Sequence, residues 1–471
     1  MARIPMFLYS WLFVNSWMYS WTFVHSWTFE HSRPFVYSWT FVALFWLSIG
    51  LILYTYLGYP LLLACLAYLK EAPCPYPLHT PKVTLLISAY KEEAFIAPKL
   101  ENSLKLDYPR ERLQILVATE GSDDRTAEIV RGYSNRGVEL DYSPVRSGKM
   151  TAIARAIEAA RGEIVVFTDA NNFFAPGTLR ALVAPFADLR VGAVSGGKHV
   201  LTEDGVLSEA EGLYWKYESF IKKHETRLGC CTGVSGEVLA IRRALFENPP
   251  EKVIADDFYI AMRIARRGYN VVYAPDARSY ERISVSSSDE IERRARSTAG
   301  RFVTLTFLGQ LFSIRRPLLI WQVFSHKYLR LLLPLAMIGA FIANLFAVIW
   351  PIRLEETGPG LSVFYLSPPY NLLAKASAMI LAGQVLFYCL AWLGNRVHES
   401  AHEWHELKGR GMFGKFLYLP AFLVNSNYAT LVGLWRFITR RQNQLWVRVQ
   451  RRRMDHSTNI DGGNHVKKIF P

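Results

Sequence analysis

A long stretch without charge near the start of the chain constrains its fold most. From Phe35 to Leu69 the sequence contains no Asp, Glu, Lys or Arg. About 20 apolar residues suffice to cross the hydrocarbon core of a bilayer, so we expect one spanning helix over Phe41 to Leu62 or slightly beyond. The segment lacks a short apolar core followed by a small-residue cleavage site, so it is interpreted as an anchor and not as a removed signal peptide. The chain is therefore predicted to be a membrane protein.

Three further charge-free stretches of about 20 residues are also long enough to span a bilayer. They are Leu331–Trp350, Ala376–Asn395 and Phe416–Trp435, of which the last is weakened by Pro420 and by neighbouring Asn and Ser residues. Lys70 after the first span and the arginines of the tail after Arg436 both favour the cytoplasmic side. Three clean crossings after a cytoplasmic domain would place the tail outside. One segment is therefore assigned wrongly, and Phe416–Trp435 is the first candidate.

Between the spans, short apolar runs alternate with amphipathic segments. This alternation predicts an α/β domain with a parallel sheet and right-handed crossovers. We expect strands at Val83–Ser88, Leu113–Ala118, Val138–Tyr142, Ile164–Phe167, Gly192–Ser195, Val238–Arg242 and Asn270–Ala274. Helices are expected between them, including Glu92–Leu106, Lys149–Ala160, Pro176–Leu189 and Asp257–Gly268.

Composition excludes several classes of protein. The chain has 471 residues, of which 51% are hydrophobic, and a net charge of +14. Much of the positive charge lies in Arg293–Arg316 and in the tail, beside apolar segments, where anionic lipid headgroups are the better match. We therefore expect membrane lipids, and no nucleic acid, among the partners. The five cysteines contain no CxxC pair, which argues against a disulfide framework and against a thiolate zinc site.

Residues 1–40 contain a short repeat. Ser-Trp recurs, mostly six residues apart, at Ser10, Ser16, Ser20, Ser26 and Ser38. A spacing of six fits neither the helical nor the strand period. The segment is interpreted as a translated DNA repeat upstream of the true start, and the alternative is an interfacial aromatic anchor.

A carboxylate ends the fourth predicted strand. Asp169 and Asn171 follow Ile164–Phe167 and offer two hard oxygen ligands at the carboxyl end of a buried strand, where open α/β sheets bind ligands. Such oxygens suit Mg²⁺ or Mn²⁺ held together with a substrate diphosphate. The alternative interpretation is an Asx turn without a ligand.

The neighbouring strand ends carry complementary groups. Glu120 could contact a base or ribose and Lys149 a phosphate, which together suit a nucleotide diphosphate. A P-loop is excluded because Ser143 stands where the motif requires Gly. Asp256 and Asp257 begin a predicted helix, either as an N-cap or as a base that takes a proton from an attacking hydroxyl.

This series of motifs resembles the family 2 inverting glycosyltransferases, the group that contains cellulose, chitin, hyaluronan and poly-N-acetylglucosamine synthases. Ser88-Ala89-Tyr90-Lys91-Glu92-Glu93 stands where that family has Pro-Ala-Tyr-Asn-Glu-Glu. Similar matches are Glu120-Gly121-Ser122 to the Asp-Gly-Ser motif, Gly148-Lys149 to the glycine-lysine loop, Asp169-Ala170-Asn171 to the DxD metal motif and Ala255-Asp256-Asp257 to the Thr-Glu-Asp motif. The resemblance covers roughly residues 80–305.

The resemblance implies an α/β fold of the GT-A type, a Rossmann-like nucleotide-diphospho-sugar transferase domain in the cytosol, inserted between transmembrane helices of a cell or inner membrane. Asp257 would be the catalytic base with Asp256 beside it, and Asp169 and Asn171 would bind Mg²⁺ or Mn²⁺. The donor, a UDP-sugar above all, would be contacted by Ala89, Tyr90, Glu93, Glu120, Lys149, Asp169, Arg293 and Arg296. The implied activity is hexosyl or N-acetylhexosaminyl transfer to a glycan in cell-surface polysaccharide synthesis. The alternative is a single transfer to a lipid acceptor such as polyprenyl phosphate or a glycolipid.

Departures from the family pattern bear on the acceptor. Glu120 lengthens the reach of the usual Asp, and Asn171 removes one negative charge from the metal motif. Processive synthases carry Gln-x-x-Arg-Trp on an interface helix, whereas the corresponding stretch here has no Gln and ends in Ser297. Ser offers little apolar surface on which a sugar ring could stack. The domain order still favours a synthase, of limited processivity.

Two functions from other classes compete with this interpretation. His398-Glu399-Ser400-Ala401-His402 is a literal HExxH, the pattern of zinc metalloproteases, but it lies in a short polar connector. A transporter whose middle domain merely binds nucleotide would need more spans than the four counted here.

These expectations divide the chain into seven parts. They are the Ser-Trp segment 1–40, an N-terminal transmembrane helix within 41–70, a Pro-rich linker 71–82, the glycosyltransferase domain 83–285, amphipathic interface helices 286–328, about three transmembrane helices in 329–437, and a basic tail 438–471.

Overall fold

The computed structural model describes residues 40–71, 76–200, 206–281, 287–349, 369–400 and 411–441. The strands are β1 Val83–Ala89, β2 Leu113–Glu120, β3 Val138–Ser143, β4 Ile164–Asp169, β5 Phe173–Phe174, β6 Val191–Val200, β7 Leu239–Arg242 and β8 Asn270–Glu281. The helices associated with them are α2 Ile96–Leu104, α3 Thr126–Arg131, α4 Lys149–Ala159, α5 Thr178–Val183, α6 Val206–Arg227, α7 Asp256–Arg266, α8 Ser287–Leu305 and α9 Leu308–Leu311. The long flanking helices are α1 Thr40–Tyr68, α10 Pro317–Ile349, α11 Pro369–Ser400 and α12 Gly411–Ile438.

The eight strands form one mixed sheet in the order β3-β2-β1-β4-β7-β6-β8-β5. The first four strands are parallel, as predicted. However, β7 runs antiparallel to both β4 and β6, and the unpredicted β5 pairs antiparallel with β8. The expectation of a wholly parallel sheet is wrong because a short strand buried on both faces has the same apolar pattern in either direction.

Two predicted helices are shorter in the structure, for local reasons. The helix expected from Glu92 begins at Ile96, after a turn in which the Glu92 carbonyl accepts the Phe95 and Ile96 backbone N–H groups at 2.9 and 2.8 Å. The helix expected over Pro176–Leu189 is reduced to α5 and a following 3₁₀ turn, Ala184–Ala187. Pro185 lies in that turn, and proline cannot donate the backbone hydrogen bond that would continue an α-helix.

The central strands β1 and β4 are covered on both faces. Leu86 and Phe167 pack with Ile153 of α4 and with residues of α7. On the other face Leu85 and Val166 pack with residues of α2 and α5. Because both faces of these strands are occupied by apolar packing, polar side chains can meet a ligand at the strand ends, and this is where the candidate residues lie.

Three helices among the described residues are long and apolar enough to cross a membrane, judged by length and composition: Thr40–Tyr68, Pro317–Ile349 and Ala376–Arg396. The described chain forms two compact units, one within Met1–Leu53 and Leu335–Cys389, the other within Tyr54–Pro334 and Leu390–Pro471. In the first unit, the Phe41 and Phe346 rings stack at 4.9 Å and the Asn344 amide donates to Gln384 Oε1 at 2.9 Å.

The segment Phe416–Trp435 lies in α12, which is not one of these three helices. Instead α12 packs closely on α8. A Cβ atom at Gly433 would come within 2.7 Å of the Ala295 carbonyl oxygen, and Arg436 forms two hydrogen bonds to Glu292 at 2.5 and 2.6 Å. Ser426, one of the polar residues that weakened the segment as a span, accepts a hydrogen bond from Arg294 of α8 at 2.6 Å.

Candidate active site

The carboxyl ends of β1, β2 and β4 place the predicted site residues at one edge of the sheet. Ser88 lies opposite Asp169 in the β1–β4 register, and Ala89 lies opposite Thr119 in the β1–β2 register. Glu120 is the last residue of β2. The parallel register alone therefore brings three of the predicted strand-end positions together.

Asp169 is the central carboxylate of this edge. Its Oδ1 accepts hydrogen bonds from Lys149 Nζ at 2.7 Å and from the Ser88 hydroxyl at 2.9 Å. Burial disfavours the charge of Lys149, but Asp169, Asp256 and Asp257 outweigh it and raise the pKa of Lys149 well above its ordinary value. Lys149 is therefore a fixed positive charge beside Asp169, and its contact with a phosphate stays a prediction.

A second lysine, Lys99, was not predicted from the sequence and stabilises the Asp169–Asn172 turn through hydrogen bonds. Lys99 of α2 is fully buried, and its ammonium donates to Thr168 Oγ1 at 2.9 Å and to the Asn172 carbonyl oxygen at 2.5 Å. One helical turn later, the Asn102 side chain bonds both backbone groups of Phe174 at 2.9 Å. Burial lowers the pKa of Lys99 to about 7, partly offset by Asp169. Its place in the apolar stripe of a predicted helix is the signal that could have revealed it.

Glu120 shapes the loop that precedes α4. Its Oε1 accepts the backbone N–H of Ser147 at 3.1 Å and also that of Gly148. Its Oε2 is buried without a hydrogen-bond partner among the described residues. Burial raises the pKa of Glu120, and the two backbone N–H groups oppose that rise. Glu120 thus positions the lysine loop and keeps one oxygen available for a ligand.

Ala89, Tyr90 and Glu93 were also predicted to contact the donor, and the structure places them in different surroundings. Ala89 is buried at the end of β1, and the Tyr90 ring lies 4.1 Å from the guanidinium of Arg146 in the facing loop. Glu93 is exposed and accepts the Arg125 backbone N–H at 3.3 Å. The structure therefore brings Tyr90 to the loop of Lys149, whereas Glu93 faces the start of α3.

Asp257 lies where two cavities meet. The narrow cavity, of about 20 Å³, is lined by Ser88, Lys149, Asp169, Asp256 and Asp257 among others. The large cavity, of about 490 Å³, is also lined by Asp257 and extends to Ser297. Gly236 makes room for Asp257, because a Cβ atom at this glycine would lie 3.2 Å from Asp257 Cβ. Enclosure by the protein, followed by the neighbouring Asp256, raises the pKa of Asp257 to about 6.

The two arginines predicted near the leaving group lie in different surroundings. Burial lowers the pKa of Arg296, and the negative charges of Asp256 and Asp169 oppose that shift. Arg293 instead lines the large cavity and pairs with Glu290, with Nε and Nη2 at 2.9 and 2.6 Å from its oxygens. Of the two arginines, Arg296 is the one whose charge interacts with that of Asp169.

The oxygen atoms at this edge fit a divalent cation. Asp169 supplies a carboxylate and Asn171, which is 8% exposed, supplies an amide two residues later. Mg²⁺ and Mn²⁺ sites of nucleotide-dependent enzymes use one or two protein oxygens and complete their coordination with substrate phosphates and water. In the described part of the chain no group of three or more His, Cys, Asp or Glu residues is arranged to hold a metal. His398 lies in α11, and the second histidine of the HExxH pattern lies outside the described residues.

Comparison with known proteins finds sequences similar to this domain. Residues 81–300 match the model described as "Glycosyltransferase like family 2". A probable glycosyltransferase of Bacillus subtilis (strain 168), YdaM, is 27% identical over 292 residues, which are 56% of this chain and 67% of that protein. The poly-beta-1,6-N-acetyl-D-glucosamine synthase of Staphylococcus aureus (strain COL) is 25% identical over 200 residues, which are 41% of this chain. The chain thus spans about half (48%) of the length of that synthase.

A solved structure supports the fold assignment. The mannosyltransferase PcManGT from Pyrobaculum calidifontis, in complex with GDP-Man and Mn²⁺, superposes with a TM-score of 0.58 at 24% identity and covers 84% of this chain and 99% of its own. The sheet, the strand-end site and the family match agree with one another. Residues 81–300 therefore form a glycosyltransferase domain with the GT-A fold that matches the family 2 model.

Proposed function

We propose that this protein is a membrane-anchored inverting glycosyltransferase that moves a sugar from a nucleotide-diphosphate-sugar to an acceptor hydroxyl held in the large cavity. One observation carries the proposal: Asp257 lines both cavities, and Lys149 and Asp169 lie on the narrow side alone. A base between a diphosphate subsite and a second binding space is the arrangement that a direct displacement requires.

The donor occupies the strand-end side in this proposal. Lys149 and Arg296 supply positive charge near Asp169, where the departing diphosphate would gain negative charge. Glu120, through its unpartnered Oε2, would accept a hydrogen bond from the nucleoside. Asp169 and Asn171 would hold Mg²⁺ or Mn²⁺, which when bound would act as a Lewis acid on the diphosphate.

The acceptor occupies the large cavity. Its hydroxyl loses a proton to Asp257 as its oxygen forms a bond to the anomeric carbon. The bond between that carbon and the diphosphate oxygen breaks in the same displacement, which inverts the anomeric centre and releases the nucleoside diphosphate. A pKa of about 6 leaves Asp257 ionised at neutral pH and therefore able to accept the proton.

The surroundings of the domain indicate where the product is made. The described ranges contain three helices that are long and apolar enough to span a bilayer. The named relatives include a polysaccharide synthase. We infer that the enzyme acts at a membrane in the assembly of a surface glycan, with a UDP-sugar as the first donor to test.

A screen of nucleotide-sugars tests the proposal. Purified protein in detergent is incubated with each donor and a membrane extract that supplies acceptors, and release of free nucleoside diphosphate is measured. One donor class should give release, and Asp257→Asn should not. The labelled product is then sized, since a ladder indicates polymerisation and one organic-extractable species indicates a single transfer. No release with any donor would overturn the proposed function.

A further inference from the structure

The large cavity contains a group of cations that the proposed mechanism does not use. They are Lys222, Arg301, Lys327 and Arg330, and they are referred to below as the basic cluster. Lys222 comes from α6, Arg301 from α8 and the other two from α10. Lys327 lies close enough to the other three for their charges to act on it. Three separate helices therefore converge on one positive region.

Negative charge within the protein balances only part of this cluster. Arg330 bonds to Glu218, a carboxylate that it shares with the imidazole of His326 at 3.1 Å. Lys222 donates to the neutral hydroxyl of Ser235 at 3.3 Å. Neither Arg301 nor Lys327 has a side-chain hydrogen bond or ion pair with any residue in the described ranges.

Arg330 also has donors that nothing in the described chain satisfies. Its Nε and Nη2 atoms are buried and lack hydrogen-bond partners there, and its side chain is 13% exposed. Buried, unpaired guanidinium donors are costly, and like charges at close range in a poorly solvated space repel one another. A phosphate or diphosphate group, with several acceptor oxygens, would satisfy both requirements.

The same cavity has an apolar wall. Leu331 and Leu333 of α10 are 3% and 2% exposed, and Leu419, Phe422 and Leu423 of α12 face the same space. Leu419 is 53% exposed, which places it at the edge of the cavity. Since α10 is one of the helices apolar enough to span a bilayer, the wall belongs to an element suited to contact with lipid.

We propose that the acceptor is a lipid-linked sugar whose phosphate or diphosphate binds the basic cluster while its apolar chain lies along the leucine wall. This inference rests on the proposed function and names its substrate class. A neutral glycan would leave the cations of the cluster unpaired, whereas a free sugar phosphate would leave the apolar wall uncovered.

The step that follows is a balanced displacement. The phosphate of the acceptor takes no part in bond making. A hydroxyl of its sugar gives its proton to Asp257, forms the new glycosidic bond to the anomeric carbon of the donor, and expels the nucleoside diphosphate. The product is the same lipid, longer by one sugar.

Three acceptors on the wild-type enzyme test this inference without any variant. They are N-acetylglucosamine linked through diphosphate to a short isoprenoid, the alkyl glycoside of the same sugar with matched chain length, and the same sugar diphosphate without a lipid. Only the acceptors with a diphosphate can form charge-assisted hydrogen bonds with the basic cluster, so the first acceptor should have a KM at least about tenfold lower than the second. It should also have a lower KM than the third.

Substitutions in the basic cluster test whether its cations cause the difference in KM between the acceptors. Lys327→Gln and Arg301→Gln should each raise the KM for the isoprenoid diphosphate acceptor about tenfold and reduce its advantage over the alkyl glycoside. Lys327→Arg should restore most of that advantage. Arg315→Gln is the matched control, because Arg315 is an exposed cation just before α10 that does not line the cavity. Native mass spectrometry of the isoprenoid diphosphate bound to wild type and variants gives a readout that does not depend on turnover.

The outcomes separate this inference from the proposed function. Nucleoside diphosphate release with equal KM values for the charged and neutral lipids would overturn the inference and leave the function standing. Equal use of the lipid-free sugar diphosphate would refute the role of the wall. Absence of release with every donor and acceptor would refute the proposed function, and absence of lipid binding by the wild-type protein would then refute the inference as well.

Discussion

The most informative single perturbation is Asp257→Asn. It keeps the size of the side chain and its position between the cavities but removes the ability to accept a proton. General base catalysis contributes about 10²- to 10⁴-fold, so kcat should fall by that factor, which corresponds to about 3–5 kcal/mol of transition-state stabilisation. Donor affinity measured by calorimetry should change little, because Lys149 and Asp169 remain in place.

The pH dependence of kcat/KM provides a second quantitative test of the role of Asp257. The rise of the Asp257 pKa from the ordinary aspartate value of 3.8 to about 6 corresponds to about 3 kcal/mol that opposes ionisation. A base is active only when it is deprotonated, so kcat/KM should fall as pH falls through about 6 and should be level above it. Asp256 is the second cause of the raised pKa, so Asp256→Asn should shift the acid limb to lower pH.

Stopped assays of nucleoside diphosphate release from pH 5 upward measure both effects. The reasoning is refuted if Asp257→Asn, shown by calorimetry to bind donor normally, keeps turnover within a few-fold of wild type. It is also refuted if the acid limb stays at the same pH in Asp256→Asn. If Asp257 had only a structural role, Asp256→Asn would not change the pH at which activity falls.

Three further predictions concern the metal site, Lys99 and the Ser-Trp segment. EDTA should stop turnover and added Mg²⁺ or Mn²⁺ should restore it in wild type but not in Asp169→Ala; activity without metal would contradict the assignment. Lys99→Met should lower the free energy of unfolding by about 1–3 kcal/mol and raise the metal concentration needed for half-maximal activity, whereas Lys105→Met, an exposed lysine at the end of α2, should do neither. If Lys99→Met changes stability alone, Lys99 does not position the metal-binding turn. A chain beginning at Thr40 should still insert and turn over normally, and loss of membrane insertion would show that the Ser-Trp segment is an anchor.

Local patterns in the sequence predicted most of the domain. Apolar runs of suitable length, separated by amphipathic helices, predicted the parallel strands β1 to β4 near their observed bounds. Polar residues immediately after those runs predicted the site, because parallel strands end at a common edge. Strand direction in the second half could not be predicted, since β7 has only four residues, the first three of them buried, and so short a pattern does not indicate direction.

The chain itself, read residue by residue, determined the chemistry available: a carboxylate and an amide at the end of β4, a lysine after Gly148, and two carboxylates at the start of α7. Which of these groups act on one another was decided only by tertiary structure. Lys99 and Asn102 come from a helix whose partners lie far away in sequence. Arg293 and Arg296 differ because Arg293 pairs with Glu290, whereas the charge of Arg296 acts on Asp169. The basic cluster could not be recognised in the sequence either. Its members are spread over more than a hundred residues and become neighbours only where three helices line one cavity.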